Sequence, residues 1–540
     1  MSRFPTRQFP YSRGGSSLQL SASDPFEGIA QDAFVRFVLG RDEEDPSVID
    51  TPRILDHVND PFATIVLAAG HRPQTLGELL DILDKASGSD AVPGQRIYRI
   101  ADGGQIPWSE ATASIERNLR IVVTRHRGDQ AELFISTAPP FSSSIFLQVF
   151  AWDPQLRAYN FYERRRRIWS WAGSSWDALE PETRGRGPFD SHVNGGPVMK
   201  ELKVPWMHWH SQAAQIRDDI LAPDDPLRGD AFYHSEPPTG LRGGEDLEPI
   251  VKAGIARWTA ARFEGRVQGG RLVRACEFLR QVLTTTTVNL TTSGEQSAQL
   301  EDGDIVRLPA TFFVNTDALI DTLGLPVALP KLKAAASLYL GCLSRYAVQL
   351  QDRQNRLDQD SFFAFAVPEP SFEDLAALRE LLARGALSQR LALCWLMVDF
   401  SNPIFSSRRD ALLAYCPDEI ELEGGGALES EFVATVRSSA AAKIAGSPEA
   451  EFLDWWERAP DRLEAQAAEA VEAYWAALGR AIATDDGFDG VFRLAEFRRR
   501  QFKDRPIAEF GLTLPVATAL QSIDPLRMRA DGIVEPDEGG

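Results

Sequence analysis

The hydrophobic pattern mixes short helices with a run of strands up to about residue 180 and becomes helical beyond about Asp246, and that shift constrains the fold more than any other feature. In NLRIVVTRHR (118–127), AELFISTAP (131–139) and SIFLQVFAW (144–152), β-branched and aromatic residues recur at strand spacing, and the turn signals RGDQ and PPFSSS separate the runs. AYNFYERRRRIWSWAG supplies two further strands after the turn at 153–156, with Trp169 and Trp171 on one face of the second. Parallel pairing needs crossovers of a dozen residues, and these connections are too short for them. The pattern therefore predicts a largely antiparallel sheet with flanking helices, one of them in LGELLDILDKA (76–86).

Beyond Asp246 the spacing becomes helical. RLVRACEFLRQVL sets Leu272, Cys276, Leu279 and Leu283 on one helix face. Ser371 with Asp374 reads as a capping box ahead of Leu375, Leu378, Leu381 and Leu382, and Ser447-Pro448-Glu449 has the order of an N-cap followed by a first-turn proline and acid. A further Ala/Glu/Leu-rich helix is expected over 461–483. The fold class is thus α+β. A flexible arm (1–30) leads to a mixed sheet domain (31–180), a Gly/Pro-rich connection containing His and Trp (181–245), a large α-helical lobe (246–523) and a flexible tail (524–540).

Composition excludes several classes. Apolar residues at 44% and charged residues at 25% are globular values. A formal charge of −20 repels phosphate backbones, so non-specific nucleic-acid binding is not expected. The arginine runs 164–167 and 498–500 oppose that balance locally and read as solvated arginine on a strand edge and a helix face. Cys276, Cys342, Cys394 and Cys416 form no C-x-x-C pair and read as free thiols of a reducing cytoplasm. The N-terminal stretch has no apolar core of signal length, and LALCWLMV (391–398) is far short of the roughly 20 residues that cross a bilayer. A cytoplasmic protein without a membrane span is expected.

Chemistry-bearing residues concentrate in one stretch. Six of the twelve tryptophans and four of the seven histidines lie between Trp152 and His234. GPFDSHVNGGPVMKELKVPWMHWHSQ alone carries Asp190, His192, Asn194, Glu201, His208 and His210. His192, His208, His210 and His234 are the candidate ligands of a transition metal, with Asp190 or Glu201 completing or orienting the set. His208 and His210 share a face only in a strand, and Pro205 at the start of a helix would set them about 200° apart. PFDSH has the spacing of a haem-attachment box without its cysteines, which leaves a non-covalent haem on His192 with Met199 or another histidine as second axial ligand.

P-loop, G-x-G-x-x-G, G-x-S-x-G and H-E-x-x-H patterns do not occur. Two functional readings follow. In the first the chain is an enzyme using a bound metal or haem, its site between sheet and helical lobe, with His192, Asp190 and Glu201 as acid/base and orienting groups. In the second it is a non-catalytic binding or assembly protein, in which Trp206, Trp209 and the histidines recognise a small molecule or a protein partner. Two further segments bear on the site. TTTTVNLTTS (284–293) leaves a helix with many hydroxyls and reads as a strand or loop able to line an inter-lobe crevice. VDFSNPIFSSRR (398–409) reads as a structural lock, with Asp399 paired to Arg408 or Arg409.

Overall fold

The computed structural model describes residues 25–42, 45–89, 91–101, 108–110, 113, 119–137, 147–198, 221–229, 244–295, 297–352, 355–360, 364–422, 427–504, 516–520 and 524–537. One sheet organises the N-terminal half. Its strands are β1 (Phe34–Arg36), β2 (Ser47–Val48), β3 (Gly94–Ala101), β4 (Leu119–Arg127), β5 (Gln130–Thr137), β6 (Leu147–Asp153), β7 (Ala158–Arg165) and β8 (Ile168–Ser174), in the spatial order β2-β1-β8-β7-β6-β5-β4-β3. β3 to β8 form an antiparallel meander, whose connections from β4 onward are too short for a crossover, and β1 lies parallel beside β8. β4 and β5 join through Gly128 and Asp129, and Gly128 takes the positive φ of 60° that tight hairpin turns favour.

Alternation assigns the two faces. Leu133, Ile135, Val149 and Ala151 pack with Phe62, Val66 and Leu67 and with Leu79 and Leu83 of α1 (Leu76–Lys85). Phe134, Phe150, Trp152 and Phe161 point the other way, onto Leu247, Val251, Ile255 and Trp258 of α2 (Gly244–Gly265). Trp169 belongs to the core. It is wholly buried, 4.8 Å from the Phe62 ring, and its indole N–H donates to the Pro73 carbonyl at 2.9 Å. In the arginine run, Arg164 donates to Gln74 and Arg165 to Glu163, while Arg166 and Arg167 are exposed at the β7–β8 turn.

A buried carboxylate ties the first of these layers to the sheet. Asp60 accepts from the Phe62 and Ala63 amides at 2.9 and 3.0 Å, from Asn160 Nδ2 at 2.8 Å and from the Tyr162 hydroxyl at 2.5 Å. Burial pushes its pKa from 3.8 up to about 6, against the opposing pull of those hydrogen bonds and with Asp153 adding to the rise. A carboxyl raised in the folded state stabilises it fully below the unfolded pKa, and that contribution disappears as pH rises through the folded value. The expected loss from Asp60 is about 3 kcal/mol between about pH 4 and pH 7. Urea unfolding across that range should show a pH slope flatter by this amount in Asp60→Asn, and equal slopes would contradict the assignment.

The C-terminal half is mostly helical: α3 (Cys276–Leu283), α4 (Ala336–Arg345), α5 (Phe372–Ala383), α6 (Gln389–Met397), α7 (Ser407–Leu412), α8 (Ala427–Ser438), α9 (Pro448–Trp456), α10 (Pro460–Ala481) and α11 (Asp485–Asp504). Both predicted caps form. Ser371 Oγ accepts from the Asp374 amide at 3.2 Å and Ser447 Oγ from the Ala450 amide at 3.0 Å. Leu272 is not on the α3 face, because residues Arg271–Val273 form a short strand paired with Glu419–Glu421 before the helix begins. Among the described residues no helix is long and apolar enough to cross a membrane.

Two expectations are corrected here. Arg498 and Arg499 on α11 are buried, at 2% and 5% exposure, rather than solvated. Arg498 donates to the Phe312 carbonyl and to Asn402 Oδ1, while Arg499 pairs with Glu496 and donates to the Ala366 carbonyl. The segment after Asp524 is not a loose tail: Leu526–Met528 and Val534–Pro536 form an antiparallel hairpin, and Met528 is wholly buried. At the other end of the chain, residues 1–24 of the expected flexible arm lie outside the described residues, whereas Phe26 packs against Phe37 at 5.1 Å.

Candidate functional site

The connection leaving β8 is held against the sheet by its own backbone and by one imidazole. Asp177 accepts from the Ser174 amide and hydroxyl at 2.8 and 2.6 Å. A 3-10 turn over Gly187–Asp190 follows, started by Pro188. His192 then stacks on Phe150 with ring centres 5.4 Å apart and meets the Phe161 ring edge-on at 5.0 Å. Its Nδ1 is 2.8 Å from the Gly196 carbonyl, which can only accept, so Nδ1 carries the proton and Nε2 the lone pair of the neutral ring. A backbone carbonyl therefore orients this imidazole at Nδ1, and Asp190 is exposed at the end of the turn.

Two glycines let the chain pass close beneath β8. Gly195 has φ 76°, and a Cβ there would lie 2.6 Å from the Ser175 carbonyl oxygen. Gly196 follows it against α2 and Glu373. The close approach delivers Asn194 to the junction between the two halves. Asn194 Nδ2 donates to Thr286 Oγ1 at 3.3 Å and to Glu373 Oε2 at 3.2 Å, and its carbonyl accepts from the Trp258 indole at 2.6 Å.

From Asn194 a polar seam runs into the helical half. Thr286 donates to Asp374 Oδ1, and Gln281 Nε2 reaches the same oxygen at 3.3 Å. Gln281 in turn accepts from Arg262 of α2, whose guanidinium lies 4.1 Å over the Phe278 ring. Burial pushes Arg262 down to about 10, partly offset by Glu277 and Glu373. Such a seam holds the sheet and the helices in register, because each buried polar group would lose its partner if the halves separated.

Beside the seam lies a small recess of about 30 Å³. Its polar lining comes from Gln281, Thr284, Thr285, Thr287, Asn315, Asp374 and Arg409, over an apolar floor that includes Leu319, Leu396 and Ile404. At roughly 10–15 Å³ per water-sized group, about two such groups fit. The threonine run lines a crevice because α3 ends at Leu283 and the chain turns away before pairing, at Val288, with Val367–Pro370. Arg409 donates to the Val398, Asp399 and Asn402 carbonyls, which holds its guanidinium at the wall. The segment is thus a structural lock, in which Asp399 makes no direct salt bridge to Arg408 or Arg409. The Asp399 carboxylate takes hydrogen bonds from Asn402 and Ser406 and lies 3.7 Å from Arg527, while Arg408 pairs with Glu451 at 2.7 Å.

Of the residues singled out by sequence, His192, Asp190 and Asn194 are placed. Met199, Glu201, Trp206, His208, Trp209, His210 and His234 lie outside the described residues. Among the described residues no three His, Cys, Asp or Glu side chains are grouped to hold a metal ion. Glu373, Gln281 and Arg262 were not legible as site residues, although Asp374, beside Glu373, stood out as part of a helix cap. Comparison with protein-family models, with curated proteins and with solved structures gives no match to this chain.

Proposed function

We propose that this chain is a non-catalytic binding protein that receives the polar end of a small ligand of zero net charge, such as a free amino acid, in the recess at the junction of its two halves. The observation that carries the reading is the lining itself. One acid, Asp374, and one base, Arg409, share a small polar hollow with three threonines, one asparagine and one glutamine. Opposite charges in the lining, beside apolar residues, favour a zwitterion over a lone anion or cation, since each end of a zwitterion can sit nearest the lining charge of opposite sign. The volume admits only an end-group, so the rest of the ligand stays at the mouth. Rigid support comes from the carbonyls that hold Arg409 and from the seam that holds Asp374.

A thermal-shift panel tests the chemistry. Serine and glycine at saturating concentration should raise the melting temperature by a few degrees through mass action, whereas acetate and ammonium should not. Equal shifts for all four compounds, or none for any, would end the reading.

A further inference from the structure

We infer that Cys276 and Cys416 form a reversible disulfide, making this pair a site of oxidative modification that clasps the start of α3 to the turn after α7. The two residues are 140 positions apart in sequence, yet the Cys276 Sγ lies 3.9 Å from the Cys416 carbonyl oxygen and 3.5 Å from that of Pro417. Backbone register explains the approach. Residues Arg271–Val273 pair antiparallel with Glu419–Glu421, Val273 facing Glu419, and the Ala275 amide continues the contact by donating to the Asp418 carbonyl at 2.7 Å. Beyond Val273 the strand ends, with Arg274 at φ 54° and Ala275 already helical, so the amide contact to Asp418 sets the start of α3, and Cys276 with it, against residues 416–418.

Both thiols are free and half-buried, whereas Cys342 and Cys394 are buried. Cys416 Sγ, now 3.9 Å from the Leu412 carbonyl, must turn towards Cys276. With hydrogen peroxide as oxidant, the Cys276 thiolate attacks one peroxide oxygen, the O–O bond breaks to give a sulfenic acid and hydroxide, and the hydroxide takes up the proton the thiol released and leaves as water. The Cys416 thiolate then attacks that sulfur, the S–O bond breaks, and a second water leaves. Two thiols and one peroxide become one disulfide and two waters, with sulfur oxidised and peroxide reduced. Burial, reinforced by Asp418, raises the Cys276 thiol, and burial raises Cys416, so the reaction is slow at neutral pH. The clasp joins two walls of the recess, α3 and the α7 end, but the inference stands on the two thiols alone.

The test is peptide mapping of the full chain after hydrogen peroxide treatment. The expected product is a linked peptide containing Cys276 and Cys416, lighter than its parts by two hydrogen atoms, with the thiol count of the unfolded chain falling from four to two. Dithiothreitol should restore all four, and Cys342→Ser should leave the link intact. In Cys416→Ser the link should vanish while dimedone traps Cys276 as its sulfenic acid. Four thiols retained, links through Cys342 or Cys394, or over-oxidation of Cys276 without a link would each overturn the proposal. The wild-type map decides the matter even if a variant fails to fold.

Discussion

Asn402→Ala should lower stability by about 4 kcal/mol, a larger effect than its modest size suggests. One amide serves three elements. Its Oδ1 accepts from Arg498 of α11 and from the Met528 amide, both at 2.9 Å, and its Nδ2 donates to Asp399 Oδ1 and to the Met528 carbonyl, both at 2.8 Å. All of these groups are buried. Alanine would strip a partner from a guanidinium that burial already pushes down to about 10, and from a carboxylate that burial already raises. Each orphaned buried group costs about 1–3 kcal/mol, more when charged. The terminal hairpin should be released first, seen as faster amide exchange at Met528 than at Leu391. Urea unfolding supplies the magnitude, and a loss below about 1 kcal/mol would show that the polar lock contributes little. Exposed Thr435→Ala should stay within about 0.5 kcal/mol.

Glu496→Ala is expected to cost about 3–5 kcal/mol, because it breaks a buried ion pair from one side only. The carboxylate is 1% exposed and meets Arg499 at 2.9 Å and Arg500 at 2.8 Å, and it also accepts from the Ala517 amide at 3.2 Å. Removing it leaves Arg499, itself buried, with the Ala366 carbonyl. Although burial alone would raise the Glu496 carboxyl, Arg499 and Arg500 outweigh it and hold the group below its ordinary range. A depressed acid contributes stability that is present above its unfolded pKa and lost as pH falls through the folded one. The wild type should therefore lose stability from this group below about pH 4, opposite in sign to Asp60. Glu496→Gln should remove that acid limb in a denaturation series, and an unchanged limb would assign it elsewhere.

These two positions show where sequence reasoning stopped. The runs in 131–139 and 144–152 were legible as strands, since strand composition and turn signals are local, whereas the two faces of the sheet emerged only from the packing. Ser371 and Ser447 announced their helices for the same reason, as a cap acts within three residues. The arginines at 498–500 looked solvated because their partners, at Phe312, Ala366, Asn402 and Leu520, are brought together only by tertiary folding. Asn194 stood in the string marked as the site, yet its role depends on Thr286 and Glu373, 92 and 179 positions away. The threonine run was read from its exit from a helix as a strand or loop able to line a crevice, and it supplies both a strand at Val288–Thr291 and part of the recess lining. Its facing wall, with Arg409, was read from sequence only as part of an ion pair.

Calorimetric titration of the full chain with serine, compared with the variant Thr287→Met, tests the central claim most directly. Methionine at that position adds side-chain volume to the recess lining while Asp374 and Arg409 keep their identities. The account predicts a saturable one-to-one heat for the wild type and at least a tenfold weaker affinity for the variant, about 1.4 kcal/mol or more. No saturable heat in the wild type, or the same isotherm from both proteins, would contradict it.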